Sequence, residues 1–367
     1  MENKSISGKL RIVFIVPSFH TGGSERVILY LVQNLDRAKF DIVLLVLKKE
    51  GALIDHLPGD IKIVYFNFAR TVYAVGALLK YIRRNRPEIV FSTLGHVNLI
   101  LALLKPFLPA KTFLIARESS IVSIRNKDER YPKLFDFLFK TVYKRFHCII
   151  CQSEYMENDL TTNFGIDPAR IVVINNPIDF RLIPKLQNKT RKDSCELISV
   201  GQLRREKGYE RVIDALSKCN IDFNYSIIGG GSKDSLELQI KKLKLEGKIK
   251  LLGQIVNPFP QLSSADCLLL GSYYEGFPNV VLEANACGVP VIAFRAPGGH
   301  NEIIRQGYNG WFIDKPEELC DLITSRAFDS LDKEGIIQLT RDRYELFKII
   351  EQYQNTIMAR YSMFRRK

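Results

Sequence analysis

Residues 10–26 read LRIVFIVPSFHTGGSER, and this stretch decides the fold class. Its first seven residues are almost all apolar and rich in Ile and Val, which is typical of a strand buried inside a sheet. The glycines that follow let a ligand approach the backbone, and the next residues open a helix whose first N–H groups suit an anion. On its own this loop is equally well explained as a tight strand-to-helix turn.

The same alternation continues along the chain and predicts an α/β fold. Apolar runs predict further strands in the first half, at residues 40–47, 62–66, 89–92, 112–116, 148–152 and 171–174. A second series is predicted at residues 197–200, 225–228, 250–252, 267–270, 291–294 and 311–313. Two doubly wound parallel sheets follow, that is, two Rossmann-like domains facing each other across a cleft.

A polar break separates the two series. Residues 175–177 read NNP, and residues 185–194 have no hydrophobic period. We therefore predict an N-terminal domain over 1–180, a linker over 181–194 and a C-terminal domain over 195–337. A helix over 338–367 completes the chain and is able to return to the N-terminal domain.

Composition excludes several classes of protein. With 46% hydrophobic residues among 367, the chain can bury a sizeable core, so disordered, collagen-like and coiled-coil proteins are excluded. A net charge of +13 favours an anionic partner. Because the basic residues are not interleaved with aromatic ones in a recognition motif, no nucleic-acid partner is expected.

Cysteines and apolar runs bear on location and on metals. Seven scattered cysteines do not predict a disulfide framework. Cys148 and Cys151 lie in an apolar strand, where positions i and i+3 point to opposite faces, so we interpret them as core. No Asp-x-Asp pair or histidine cluster predicts a metal site. The N-terminal apolar stretch is too short for a signal peptide and residues 97–104 are too few to span a membrane, so we expect a cytoplasmic protein, either free or peripheral at the inner face of the membrane.

The most informative stretch is residues 271–290, GSYYEGFPNVVLEANACGVP. A strand ends near Gly271, and Pro278 can start a helix because its missing N–H would be unpaired there. Glu275 then precedes the helix and Glu283 lies within it, with free amides around Asn279 between them. Carboxylates accept hydrogen bonds from hydroxyls and helix N-termini bind diphosphates, so a nucleotide sugar fits. The alternative is a helix N-terminus with incidental acids.

Residues 200–208, VGQLRREKG, form a third loop of interest at the end of the second domain's first strand. Its basic side chains suit a phosphate, and without a phosphate they are a solvated turn.

Together these loops resemble glycosyltransferase family 4, whose E-x7-E signature matches Glu275 and Glu283. Supporting matches are the GGSER loop, residues 175–179 (NNPID), residues 229–231 (GGG) and the Gly298-Gly299 pair before Glu302. The resemblance covers nearly the whole chain. It implies a GT-B fold, a retaining, metal-independent transfer from a nucleotide diphosphate sugar, and no cofactor. UDP is the favoured carrier, and the favoured acceptor is a sugar or lipid-linked sugar in cell-surface polysaccharide synthesis.

The resemblance also implies roles for individual residues. Glu275 would contact the donor sugar and Glu283 the ribose, while residues 253–257 would flank the base. Groups expected to hold the donor diphosphate are Gly23, Arg204, Arg205, Lys207, Gly276, Phe277, Pro278, Asn279 and Val280. The catalytic set would be Glu275, Lys207 and Glu118.

Two positions depart from the family pattern. Gln202 stands where an arginine is common, so Arg204 or Arg205 would have to compensate. Residues 116–118 read Ala-Arg-Glu where many members have a histidine, and we assign Arg117 and Glu118 to the active-site mouth. His20 and His300 are expected to be solvated loop residues. An inactive partner subunit and a GT-B epimerase or hydrolase remain alternatives.

The segment from Arg125 to His147 is both basic and apolar. It carries seven basic against three acidic side chains, interleaved with Leu, Phe and Tyr. One interpretation is an amphipathic helix on an anionic membrane. The other is an aromatic stripe packed on the N-terminal sheet with its lysines in water.

Overall fold

A computed structural model describes residues 8–20, 22–186 and 194–366. Residues 187–193, half of the expected linker, lie outside the described residues. Residues 1–7, part of the N-terminal stretch judged too short for a signal peptide, lie outside them too. The chain forms two compact units: residues up to Pro177 with those from Leu346 onward, and residues Ile178–Glu345. The chain passes from the first unit to the second after Pro177, a few residues before the expected linker. It returns to the first unit after Glu345, so the segment expected to form one C-terminal helix is divided between the two units.

The N-terminal unit contains a parallel sheet. Its strands are β1 (Leu10–Val16), β2 (Phe40–Val46), β3 (Lys62–Tyr65), β4 (Ile89–Thr93), β5 (Phe113–Arg117), β6 (Cys148–Cys151) and β7 (Ile171–Val173). They follow the order β3-β2-β1-β4-β5-β6-β7, with Ile12 beside Ile42 on one side and Ile89 on the other. Its connecting helices are α1 (Gly23–Asn34), α2 (Val75–Asn85), α3 (Gly95–Leu104), α4 (Val122–Arg125), α5 (Pro132–Thr141) and α6 (Glu154–Phe164).

The C-terminal unit repeats this architecture. Its strands are β8 (Cys195–Val200), β9 (Phe223–Ile228), β10 (Ile249–Gly253), β11 (Cys267–Leu270), β12 (Val291–Phe294) and β13 (Gly310–Ile313), in the parallel order β10-β9-β8-β11-β12-β13. The helices are α7 (Tyr209–Ser217), α8 (Asp234–Lys242), α9 (Phe259–Ser264), α10 (Asn279–Ala286), α11 (His300–Ile303), α12 (Pro316–Thr324) and α13 (Lys333–Tyr344). Strand order brings the ends of β8, β11 and β12 side by side.

The last helix, α14 (Leu346–Arg366), belongs to the N-terminal unit. Its buried residues recur every three or four positions and form one stripe: Leu346, Ile349, Ile350, Tyr353, Ile357 and Tyr361. This stripe joins the core formed by β1, β2 and α1. The single helix expected over 338–367 is therefore two helices. The first, α13, belongs to the C-terminal unit, and the second, α14, belongs to the N-terminal unit.

Cysteine placement brings one difference from expectation. Cys148 and Cys151 are fully buried in β6, as the core interpretation predicted. Cys219 and Cys320, however, form a disulfide that joins the chain just after α7 to the middle of α12 across 101 residues. Sequence reasoning, which looked for a framework of several bonds, missed this single pair because the contact between those two helices is tertiary.

Candidate active site

Two loops meet at the carboxyl edge of the C-terminal sheet. We call residues 201–208, after β8, the lysine loop, and residues 271–278, after β11, the glutamate loop. Their strands are neighbours in the sheet, so the loops lie side by side. The backbone N–H of Tyr273 donates to the carbonyl of Glu206 at 2.8 Å and joins them directly.

An ion pair links the two loops at their functional side chains. The Lys207 Nζ lies 2.7 Å from Oε1 of Glu275, and the Ser272 hydroxyl donates to the same oxygen at 2.6 Å. Glu275 is 7% exposed, whereas the Lys207 side chain keeps 27% of its surface. Partial removal from water strengthens the attraction between the two charges. An anion arriving here would compete with Glu275 for the lysine.

Two glycines are required for this arrangement. Gly208 has φ +58°, and a Cβ there would lie 1.9 Å from the carbonyl oxygen of Gly271. Gly298, in the loop after β12, has φ +138°, and its Cβ would lie 1.8 Å from the carbonyl oxygen of Glu275. A side chain at either position would push the glutamate loop away. Backbone packing therefore holds Glu275 in place.

Arg211 also supports the glutamate loop, and sequence reasoning missed it. Its Nε donates to the carbonyl of Gly271 at 2.5 Å, and its Nη2 donates to the carbonyl of Ser272. The guanidinium lies over the rings of Tyr273 and Phe294, 4.5 and 4.4 Å from their centroids. In the sequence, this role was indicated only by the position of Arg211 in the first turn of α7, directly after the lysine loop.

Helix α10 begins at the end of the glutamate loop. Pro278 occupies the N-cap position and makes no side-chain capping hydrogen bond. Amides of a first helical turn lack an acceptor four residues earlier, and the helix dipole makes this end positive. Phe277 and Val280 are buried, and the carbonyl of Gly276 accepts the N–H of Gly299 at 3.2 Å. Both carboxylates of the E-x7-E signature are nearly buried, with Glu283 6% exposed in the second turn.

The other basic side chains of the lysine loop point to solvent. Arg204 is exposed and forms an ion pair with Glu206 at 3.7 Å. Arg205 and Gln202 are exposed too. Further along the same edge, residues 253–257 begin where β10 ends, and Val256 is 61% exposed.

His300 corrects the expectation of a solvated loop histidine. It is completely buried, and within the described residues neither ring nitrogen has a hydrogen-bond partner. Burial lowers the pKa of the imidazole to about 4, although the nearby Glu275 carboxylate acts in the opposite direction. His300 is therefore a neutral, unpartnered polar group close to Glu275. The other histidine, His20, is exposed and lies 3.7 Å from Glu50.

In the N-terminal unit, Gly23 is the first residue of α1, and the preceding Gly22 is its N-cap residue. The Glu25 carboxylate lies beside Gly22, where it would be 2.4 Å from an added Cβ. The contact of Gly23 with a donor diphosphate stays a prediction.

Glu118 and Arg117 also require a correction. Both side chains are fully buried. Glu118 accepts a hydrogen bond from Asn98 at 2.8 Å and one from the hydroxyl of Tyr143, and it lies 3.5 Å from Arg125. Because its neighbours enclose the carboxylate, Glu118 is not available to a substrate in this structure.

Arg117 is held in a similar way. Its Nη2 donates to Asn176 at 2.6 Å and its Nε to the hydroxyl of Tyr353 on α14 at 3.1 Å. It thus fastens α14 and the NNPID segment to β5. The sequence placed Arg117 and Glu118 correctly at the end of β5, but it did not predict that both side chains are buried.

The basic segment is partly core and partly surface. Phe139, Val142 and Tyr143 are buried, in agreement with the packing interpretation. Tyr131, Leu134 and Phe137, at the start and along one side of α5, are 56%, 51% and 61% exposed. Lys133, Lys140 and Lys144 are exposed beside them. We call the three exposed apolar residues and these lysines the α5 surface.

The described residues contain neither a cluster of metal ligands nor a membrane-spanning helix. Among the described residues, no group of three or more His, Cys, Asp or Glu side chains could hold a metal ion. In the same part of the chain, no helix combines the length and apolarity required to span a bilayer.

Comparison with known families assigns a model to each half. Residues 21–182 match the model "Glycosyltransferase Family 4", and residues 183–330 match "Glycosyl transferases group 1". Together the two matches cover most of the chain.

Individual relatives agree with this result. The chain is 27% identical over 322 residues to the N-acetylgalactosamine-N,N'-diacetylbacillosaminyl-diphospho-undecaprenol 4-alpha-N-acetylgalactosaminyltransferase of Campylobacter jejuni, covering 84% of this chain and 87% of that one. It is 23% identical over 303 residues to the amylovoran biosynthesis glycosyltransferase AmsD of Erwinia amylovora, covering 80% and 83%. The crystal structure of Anabaena HepE with UDP and glucose superposes with a TM-score of 0.79 at 19% identity, over 95% of this chain and all of that one.

Proposed function

Because the chain belongs to the family 4 glycosyltransferases and has the GT-B fold, we propose that it transfers a sugar from a UDP-sugar to a lipid-linked sugar, with retention of configuration, during cell-surface polysaccharide synthesis. That it is a glycosyltransferase follows from the family. The carrier and the acceptor are supported by relatives: one structural neighbour holds UDP, and the Campylobacter and Erwinia enzymes are named for a diphospho-undecaprenol acceptor and a polysaccharide.

One observation carries the proposal for the donor: the contact of Lys207 and Ser272 with Glu275. In the free protein the ammonium balances the nearly buried carboxylate. A donor diphosphate at the N-terminus of α10 would attract Lys207, and the sugar hydroxyls would take its place on Glu275. Both charges then have partners before and after binding, which limits the cost of desolvating them.

The chemical step we propose needs little more than positioning and charge. The bond between the anomeric carbon and the diphosphate oxygen breaks, and the acceptor oxygen bonds to the same face of that carbon. The acceptor's proton passes to the departing phosphate oxygen. Lys207 and the α10 amides stabilise the negative charge that develops there, and Glu275 orients the sugar.

A transfer assay tests this reaction. Purified protein would be incubated with a panel of UDP-, GDP- and ADP-sugars and a lipid-linked acceptor, with and without EDTA, and the product's anomeric configuration determined by NMR. We expect transfer from a UDP-sugar, an α-linked product from an α-linked donor, and unchanged rates in EDTA. Donor binding without transfer or hydrolysis would favour the inactive partner subunit, and a sugar epimerised without an acceptor would favour the epimerase.

For the acceptor, we propose that the α5 surface rests on an anionic membrane. Exposed Tyr131, Leu134 and Phe137 supply apolar contact, and the neighbouring lysines attract acidic headgroups by about 1 kcal/mol each. The protein would then work at the inner face of the membrane, where a lipid-linked acceptor is available.

Liposome co-sedimentation tests this surface. At low salt we expect the wild type to pellet with vesicles containing acidic lipid and Leu134→Asp/Phe137→Asp to remain in the supernatant. A matched variant, Leu238→Asp/Val256→Asp, changes exposed apolar residues of the C-terminal unit and should pellet like the wild type. Equal pelleting of all three proteins would exclude the α5 surface.

A further inference from the structure

A cavity lies at the opposite edge of the N-terminal sheet from its carboxyl ends. It measures about 830 Å³ and is lined where β5, β6 and β7 begin, by Phe113, His147 and Arg170, and by the last turns of α14. This volume is in the range of small-molecule sites. The cavity is in a different unit of the chain from Lys207 and Glu275, and the proposed reaction does not use it.

Four cations line this cavity: Lys111, Arg170, Arg360 and Arg365. None of them forms an ion pair with any residue of the described ranges. Asp167 is the carboxylate in the lining, and its Oδ1 accepts the backbone N–H of Ala169 at 2.9 Å. Four positive charges against one carboxylate leave this concave surface with a net positive charge, which attracts an anion.

Two of these cations are fixed by the backbone. Nη1 of Arg170 donates to the carbonyl of Phe146 at 2.7 Å, and Nη1 of Arg360 donates to the carbonyl of Ala169 at 2.6 Å. A guanidinium has five N–H donors, so each keeps others for a ligand. Lys111 and Arg365 are exposed at the rim and can close on a ligand.

His147 adds a neutral donor with a defined tautomer. Its Nδ1 accepts the backbone N–H of Leu114 at 2.8 Å, so the ring proton is on Nε2. Burial, with the positive charges of Lys105 and Arg170, lowers the pKa of this imidazole to about 4. The ring stacks on Phe113 at 5.0 Å and packs against Phe364 at 4.5 Å. Fixed cations, an N–H donor and an apolar wall thus meet in one cavity.

We propose that this cavity binds a phosphate ester that carries an apolar group. Guanidinium and ammonium groups match phosphate oxygens, and the volume exceeds that of a phosphate alone. Phe113, Phe364 and the exposed Met363 would contact the rest of the ligand. Such an ester could come from a lipid headgroup or from a soluble phosphate.

Calorimetric titration of the full-length protein tests the site. The probes are dihexanoyl phosphatidic acid, which has acyl chains, and glycerol 3-phosphate, which lacks them; dihexanoyl phosphatidylcholine controls for the acyl chains alone. In Lys111→Gln/Arg365→Gln, two exposed cations of the cavity are removed with little risk to folding. The matched control, Lys80→Gln/Arg84→Gln, removes the same charge from α2, outside the cavity.

We expect phosphatidic acid to bind the wild type and the control equally and the cavity variant at least about tenfold more weakly. If phosphatidic acid binds and glycerol 3-phosphate does not, the ligand is a lipid headgroup. If glycerol 3-phosphate binds comparably, the ligand is a soluble phosphate recognised without its apolar group, and the apolar part of the proposal is overturned. Equal affinity in the cavity variant and the control, or binding of phosphatidylcholine as tight as that of phosphatidic acid, would overturn the site. None of these outcomes depends on transferase activity, so they leave the proposed function to its own assay.

Discussion

At the carboxyl edge of the C-terminal sheet, Glu275 pairs with a lysine that keeps 27% of its surface exposed; at the same edge of the N-terminal sheet, Glu118 is enclosed by Asn98, Tyr143 and Arg125. Both glutamates follow a buried strand and both have a basic neighbour. The difference is access. Backbone loops hold Glu275, and its cation is partly exposed to solvent, whereas Asn98 and Tyr143, two of the three partners of Glu118, are fully buried.

The comparison predicts that removing Glu118 damages the fold. Glu118→Ala would take a hydrogen-bond partner from the fully buried Asn98 and Tyr143 and the carboxylate from the partly exposed Arg125, at a cost of about 3 kcal/mol in the free energy of unfolding. Hydrogen exchange of the N-terminal unit's amides measures this separately from the C-terminal unit. Glu118→Gln, which keeps an acceptor, should lose less. Full stability combined with lost turnover would return Glu118 to the catalytic residues.

Removing the lysine should act in the opposite manner. We expect Lys207→Ala to lower kcat by about 10²-fold or more, because the leaving diphosphate loses a nearby cation. Its loss of stability should be smaller than that of Glu118→Ala, because Ser272 still donates to Glu275. Lys218→Ala removes an exposed lysine of the same unit and serves as the control. Arg204→Ala and Arg205→Ala show which of the two compensates for Gln202. A Lys207→Ala enzyme as active as the control would exclude the lysine from the mechanism.

The sequence predicts the features of this fold and site that depend on neighbouring residues, and it misses those that depend on residues far apart in the chain. Strand periodicity and punctuating glycines are local, so the strands of both sheets were predicted to within a residue or two. The E-x7-E spacing predicted Glu275 and Glu283 as a functional pair because both lie on one loop and helix, and their roles stay a prediction. The Lys207 contact, the support from Arg211 and the burial of Glu118 and His300 depend on residues far apart in the chain. No local pattern contains them.

His300 gives a smaller effect that sharpens the contrast further. Its folded pKa of about 4 is below the usual value of 6.5, so at acidic pH the unfolded state binds a proton that the folded state does not. Protonation of the unfolded state therefore costs the protein no stability above pH 6.5, and the free energy of unfolding decreases as the pH falls from 6.5 toward 4. Between pH 6.5 and 5 the loss of stability is about 1.5 kcal/mol.

Parallel denaturation of the wild type and His300→Leu over this pH range measures the difference. Because neither ring nitrogen has a described partner, the leucine variant gives up no hydrogen bond, and its stability should depend less on pH. Identical pH profiles would mean that the imidazole is solvated.

We propose that the C-terminal unit binds the nucleotide through Glu283 and the sugar through Glu275, and UDP titration of three proteins separates these two roles. The proteins are Glu283→Ala, Glu275→Ala and Glu317→Ala, the last an exposed control in the same unit. Loss of a charge-assisted hydrogen bond should weaken UDP binding by Glu283→Ala by about 10- to 100-fold. Glu275 would contact the sugar and not UDP, and its removal leaves Lys207 without a competing carboxylate, so Glu275→Ala should bind UDP at least as tightly as the control. Equal UDP affinity in Glu283→Ala and the control would contradict the proposal.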